Sequence, residues 1–226
     1  MSKSLFIKPL KTIVIMSFMT HLINATSGVY CGIGLGASHL AAKKNLSVNS
    51  QNFNSVLSDS NVRGELFIGY TKAINNIWLT AEGHASLSNL ETKALLDIYG
   101  VDVHQPLKLK SSHGAGAAVH IGYFVSPTHK AYIKLGAEIK KFSTEFKGKD
   151  ILNDCLIDHN RSFYSVAFVP GFGIETEVDP KTIFRTEYHI SLHPAKEFRV
   201  ENKSPKTALK VKPRNHNVTF GIYFKM

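Results

Sequence analysis

The stretch His216-Asn-Val-Thr-Phe-Gly-Ile-Tyr-Phe-Lys-Met226 alternates from end to end. Val218, Phe220, Ile222, Phe224 and Met226 share one parity, and Asn217, Thr219, Gly221, Tyr223 and Lys225 share the other. That is a strand with one apolar and one mixed face. Left unpaired, so apolar and aromatic an edge would invite aggregation, whereas a closed barrel has no edge.

Seven further stretches carry the same alternation. Val29–Ser38 sets Val29, Cys31, Ile33, Leu35 and Ala37 against Tyr30, Gly32, Gly34, Gly36 and Ser38. Its Gly-x-Gly-x-Gly lacks the later glycine and the helix of a dinucleotide-binding loop, so the glycines are read as inner-face positions that leave room for bulky side chains opposite. Val62–Thr71 places Leu66, Ile68 and Tyr70 outward and Arg63, Glu65 and Phe67 inward. Ile77–Leu87 sets Leu79, Ala81 and Ala85 against Trp78, Glu82 and His84. His113–Val125, Ala131–Phe142, Ser162–Val178 and Thr182–His193 follow, with Val119, Ile133, Leu135, Phe168, Phe172, Phe184 and Tyr188 among their outward residues. The short connections are Lys72–Asn76, Ser126–Lys130 and Asp179–Lys181, the last two holding a proline. The long ones, His39–Asn61, Ser88–Ser112, Ser143–Arg161 and Pro194–Asn215, are polar and are expected to be loops, with a short helix over Leu90–Ile98.

Eight strands joined alternately by long loops and short turns predict an all-β fold: an eight-stranded antiparallel up-and-down transmembrane β-barrel, with long loops outside and short turns in the periplasm. A soluble eight-stranded barrel would line its cavity with apolar residues and turn polar ones to water. Here the uniformly apolar face has tyrosines near strand ends and the mixed face carries the charges, which places lipid outside.

The N-terminus fits export. Lys3, Lys8 and Lys11 precede a largely apolar run, Thr12–Ile23, and then Asn24-Ala-Thr-Ser-Gly28. Positive flank, short apolar core and small residues describe a secretory signal peptide, too short to span as a helix. Residues 1–28 are assigned to it and 29–226 to the barrel domain, and cleavage after Ala25, Ser27 or Gly28 fits equally. Tyr30 before Cys31 excludes a lipoprotein site. The net charge of +10 falls to +7 without the three lysines, and no later stretch reaches 18 uninterrupted apolar residues, so no transmembrane helix is expected.

Val169-Pro-Gly-Phe-Gly-Ile-Glu175, the Asp179-Pro180 turn and Phe184-Arg-Thr-Glu-Tyr188 resemble the sixth and seventh strands of small OmpA/OmpX-like and opacity-type outer-membrane proteins. Together with the opening Tyr-x-Gly-x-Gly-x-Gly strand and the final strand, the resemblance covers nearly the whole chain after the signal peptide. The final strand is similar to the C-terminal strand that barrel-assembly machinery reads, here with Phe224 as its last aromatic. The resemblance implies the bacterial outer membrane and a role that ranges from adhesion to membrane anchoring.

An eight-stranded lumen is only wide enough for side chains to fill it. Inward parity gathers Arg63, Glu65, Glu82, Lys134, Glu138, Lys140, Glu175, Arg185 and Glu187, with Glu177 and Lys225 at an end. Enclosed charges must pair or stay wet, so these residues are expected to form a network that closes the lumen, or else a gate of exchanging pairs such as Arg185 with Glu65 or Glu82. His189-x-Ser191 with Glu197 or Glu201 resembles the arrangement of outer-membrane lipid A deacylases, but parity points both side chains away from a lipid substrate. No catalytic, cofactor or metal residue is assigned. Cys31 and Cys155 are expected at opposite ends of the barrel and unbridged.

Lys196, Arg199, Lys203, Lys206, Lys210, Lys212 and Arg214 make the last connection a basic outer loop. The expected partners are outer-membrane lipid and lipopolysaccharide, barrel-assembly machinery through 216–226, and host surface molecules; no nucleic acid is expected, because no stacking aromatics interleave the bases. The chain reads as a non-enzymatic structural or surface-interaction (adhesin-like) protein, with a narrow ion-conducting pore second and a lipid A-modifying hydrolase third.

Overall fold

The eight alternating stretches lie within longer strands of a computed structural model that describes residues 27–48, 51–94, 101–150, 155–200 and 207–226. The strands are β1 (Gly28–Val48), β2 (Gln51–Ile74), β3 (Ile77–Ala94), β4 (Val101–Phe124), β5 (His129–Asp150), β6 (Cys155–Glu177), β7 (Thr182–Leu192), β8 (Lys196–Val200) and β9 (Thr207–Lys225). Each of β1–β7 pairs antiparallel with the next, β7 pairs with β9, and β9 returns to β1. The closing ladder runs from Tyr30 opposite Lys225 to Val48 opposite Thr207. The barrel is therefore eight staves, with β8 continuing the stave of β7. Between those two ladders β7–β8 carries one more residue than β9, since Leu192 faces Arg214 but Lys196 faces Val211. Pro194, lacking an N–H, sits in that break, as a proline at a bulge should. The assigned signal segment lies, up to residue 26, outside the described residues.

Parity holds through the membrane. Ile33, Leu66, Ile121, Leu135, Phe172 and Phe220 all face outward and are exposed. From Ile77 to Leu87, at about 3.3 Å per residue and a tilt of about 40°, this belt is about 25 Å tall. Tyr70 and Tyr123 stand at its lower edge and Tyr164 at its upper edge, as the aromatic girdles of such barrels do. Inside, Gly32 faces the Phe67 ring and the Tyr223 Cβ, and Gly173 faces the Tyr132 ring, where a Cβ would collide.

Above the belt the expected loops are corrected to strands. The β1–β2 ladder continues to Val48 opposite Gln51 and the β5–β6 ladder to Asp150 opposite Cys155. Leu90–Ala94 is strand rather than helix, residues 95–98 of the expected helix lying outside the described residues. The last connection is likewise replaced by β8 and the start of β9. The reason is an exchange of faces at Ala37, Val62, Leu87 and Val218. Beyond it Leu40, Leu57, Leu90, Leu109, Phe142 and Val211 turn inward and are buried, while Ser58, Asn89, Lys93 and Lys212 turn outward. Lipid draws apolar side chains to the outside, and water drives them in.

The outer half also splits. The ladder between β2 and β3 stops at Arg63 opposite Ser88, and that between β6 and β7 stops at Phe168 opposite Leu192. Beyond these points, β2, β1, β9 and β8 form one sheet and β3, β4, β5 and β6 another, with the buried apolar residues between them. At the β2–β3 seam side chains substitute for ladder bonds: the Glu91 N–H donates to Asp59 Oδ2 at 2.9 Å, and the Asn61 amide donates to the Asn89 carbonyl.

At the lower end, Asp179 Oδ1 accepts the N–H groups of Lys181 at 2.8 Å and Thr182 at 2.9 Å, closing the β6–β7 turn. These bonds, that from Lys181 first, hold its carboxyl below the usual carboxylate range. A depressed folded value means that the turn's contribution is present above the unfolded value of about 4 and is lost as pH falls through the folded one. Hydrogen-exchange protection at Lys181 and Thr182 is expected to drop on acidification, and to be low and pH-independent in Asp179→Ala.

Candidate functional site: the lumen charge network

Arg185, at the centre of β7, is the hub. Its guanidinium donates from Nη1 to Glu82 Oε2 at 2.5 Å, from Nε and Nη2 to Glu175 Oε1 at 3.2 and 3.0 Å, and from Nη2 to the Tyr30 hydroxyl at 3.3 Å. Four rings surround it, Phe67 at 4.9 Å, Tyr223 at 5.0 Å, and Tyr30 and Tyr132 each at 5.7 Å from the guanidinium carbon. A weakly hydrated planar cation tolerates such a cage, and ring faces attract it. The rings in turn fix the acids: Tyr30 donates to Glu82 at 2.6 Å and Tyr223 to Glu175 at 2.5 Å.

Glu187 organises the neighbouring layer. It accepts from Lys134 at 2.7 Å and from the Tyr132 hydroxyl at 2.7 Å, and it meets His189 Nδ1 at 2.9 Å. Lys134 also lies 3.9 Å from Glu82, joining this layer to the hub. Further toward the outside, Arg63 approaches Glu65 at 3.5 Å and Glu138 at 3.7 Å, and Glu138 accepts from Ser86 and Ser191. Glu65 thus sits on Arg63, and Glu82 on Arg185. Lys140 Nζ is buried beyond them without a hydrogen-bond partner. At the lower mouth Glu177 lies between Lys225 at 3.2 Å and Lys130 at 3.7 Å.

Lys130 falls in the expected turn Ser126–Lys130, yet the even parity of Tyr132, Lys134, Glu138 and Lys140 carries back to it, and its side chain is buried in the lumen. With it, the described lumen-facing residues of the belt hold Arg63, Lys130, Lys134, Lys140, Arg185 and Lys225 against Glu65, Glu82, Glu138, Glu175, Glu177 and Glu187, six charges of each sign. Neutrality matters because an enclosed net charge would be strongly disfavoured. The aromatic cage has no signature in the sequence, since its rings come from β1, β2, β5 and β9 and meet only through the stagger between strands.

His189 and Ser191 both point into the lumen and are buried, His189 toward Glu187 and Ser191 toward Glu138, so they share neither a bond nor a lipid-facing position. Among the described residues no three His, Cys, Asp or Glu side chains come together to hold a metal ion. Cys31 is a free thiol near the lower rim, and the backbone of Cys155 begins β6 at the outer end. Of the basic outer segment, Lys196 and Arg199 lie on β8, Lys210, Lys212 and Arg214 lie on β9, and Lys203 and Lys206 fall outside the described residues.

No curated protein sequence matches the chain. Among solved structures it is similar to the outer membrane protein OprG of Pseudomonas aeruginosa, at 14% identity and a TM-score of 0.57 over 89% of this chain and 98% of that one. It is also similar to Neisserial surface protein A, at 15% identity and a TM-score of 0.42 over 86% and 97%. The first likeness shows the fold, a small outer-membrane barrel. Residues 24–226 match the OmpA-like transmembrane domain, nearly the whole of the chain. With the lipid-facing belt and the closed ladder, this establishes that the chain belongs to the OmpA-like transmembrane domain family and resides in the bacterial outer membrane.

Proposed function

We propose that the protein is a non-enzymatic barrel whose lumen is closed and whose role is structural and surface-interacting, adhesin-like, through its outer strands. The observation that carries the reading is Arg185, fully enclosed by four rings and two carboxylates in a lumen whose charges balance. Such a network supports a closed lumen, because paired charges and packed rings occupy a cross-section only wide enough for side chains. The outer segment that includes Lys196, Arg199, Lys203 and Lys206 supplies positive charge where the barrel meets its surroundings, suited to anionic groups on host surfaces.

In planar bilayers the purified protein is expected to give no single-channel steps. Cells displaying it are expected to bind anionic host glycans in a salt-sensitive manner, and reversing Lys196, Arg199, Lys203 and Lys206 to glutamate to abolish that binding. Glycan binding unchanged by the reversal would refute the surface role. A narrow pore is the second reading, favoured by Lys140 Nζ and both amide atoms of Asn215, which are buried without partners and leave polar room toward the outer end. Well-defined conductance steps that vanish in Glu82→Ala or Arg185→Ala would select it.

A further inference from the structure

We infer that the outward wall of β1 and β9 just above the apolar belt binds the phosphorylated headgroup of an outer-leaflet lipid. The pairing of these strands puts His39 directly opposite His216, Ala41 opposite Arg214 and Lys43 opposite Lys212, all on the outward parity. The next pair down, Ala37 opposite Val218, belongs to the belt. At about 3.3 Å per residue and the barrel's tilt, the histidines stand about 5 Å above the last apolar pair, within the headgroup layer, and the lysines about 15 Å above it, from where their long side chains reach back toward that layer.

Positive charge on this wall is in excess. Among the described residues no acidic side chain points outward on β1, β2, β7 or β9, and the first one met is Glu197 of β8, opposite Lys210, one outward position above Lys212. Lys43 directly opposite Lys212 is a cross-strand pair of like charges, an arrangement that destabilises a sheet unless an anion lies between. The other side of the barrel differs. There Glu91 sits between Lys93 at 3.5 Å and Lys110 at 3.2 Å, so cations at the same height are neutralised within the protein.

The rest of the wall suits a lipid rather than a free anion. The Tyr188 hydroxyl is 2.8 Å from His216 Nδ1, and the Ser60 hydroxyl is 2.8 Å from His39 Nδ1, which fixes both imidazoles at the belt's edge. Tyr188 has the apolar body and polar tip of an interfacial residue. Below it Leu35 and Phe220 offer the acyl chains an exposed apolar face. Arg214 and the two lysines then meet the phosphate, the guanidinium in a fork and the ammonium groups as point charges. These residues lie at the base of the outer strands, apart from the outer segment through which the surface role is tested.

The test is native mass spectrometry of the full chain in detergent with diphosphorylated lipid A, with the same lipid after dephosphorylation, and with inorganic phosphate as competitor. K43Q/K212Q/R214Q is expected to lower occupancy by the phosphorylated lipid about tenfold or more. The control K93Q/K110Q/K141Q, which removes equal charge from the opposite wall, is expected to change it less than about twofold. Because these side chains are exposed, both triples are expected to keep the heat-modifiable migration of the native barrel. Equal losses in the two triples would mean diffuse attraction and would overturn the site. Two outcomes on the unmodified protein would overturn it without any variant: dephosphorylated lipid bound as well as the phosphorylated form, or full displacement of the lipid by equimolar inorganic phosphate.

Discussion

Arg185→Leu is expected to lower the unfolding free energy by about 3–5 kcal/mol, because it strands two buried carboxylates. Glu82 and Glu175 each accept a bond from Arg185 and lie almost wholly out of solvent. Once the guanidinium is gone, Glu82 keeps the Tyr30 hydroxyl, His120 at 3.8 Å and Lys134 at 3.9 Å, and Glu175 keeps the Tyr223 hydroxyl. Replacing the acids as well, in Arg185→Leu with Glu82→Gln and Glu175→Gln, is expected to recover most of the loss, since removing a whole buried ion cluster is often close to neutral. The readout is built in. Trp78 is the only tryptophan, and it is buried with its ring 5.6 Å from that of Tyr132, so urea unfolding can be followed by its fluorescence. A loss below about 1 kcal/mol for the single change would show that water already solvates the acids, and with it that the lumen is open.

Phe142→Ala is expected to cost about 3–5 kcal/mol, the usual penalty for emptying a large core position. The ring is fully buried, stacks on Phe163 at 5.5 Å and meets His193 edge-on at 4.8 Å. Those contacts tie β5 to β6 and to the break after β7, where the backbone ladder has ended. The damage is expected to stay in the outer half: faster surface proteolysis of intact cells and lost exchange protection in β5 above Lys140, with the membrane ladder unchanged. Were the outer segments loops, a residue at the end of a strand would cost less than about 0.5 kcal/mol.

The belt was legible because lipid imposes a single rule on every strand that crosses it. Ile33, Leu66, Leu135 and Phe220 could be assigned outward from parity alone, and Arg63, Glu82 and Arg185 inward for the same reason. Above the belt the rule reverses, so Leu40, Leu90 and Phe142 fall on the parity that carries the mixed face within the belt, and the stretches that hold Leu40 and Leu90 read as loops. Ser and Asn between them hid the period further. Pairings inside the lumen were not legible either. Alternation says that Arg185 and Glu82 both point inward, but whether they stand at the same height depends on the stagger between β3 and β7, which no side-chain pattern encodes.

The two seams bear on how the exposed surface diversifies. A change in the β1–β2 hairpin passes through ladder bonds to β9 and β8 and meets only side-chain bonds at β3. The same holds for β3 to β6 on the other side. Each outer sheet can therefore change in sequence while its neighbour and the membrane belt stay constant, and any surface that needs both sheets would be lost by a change in either one.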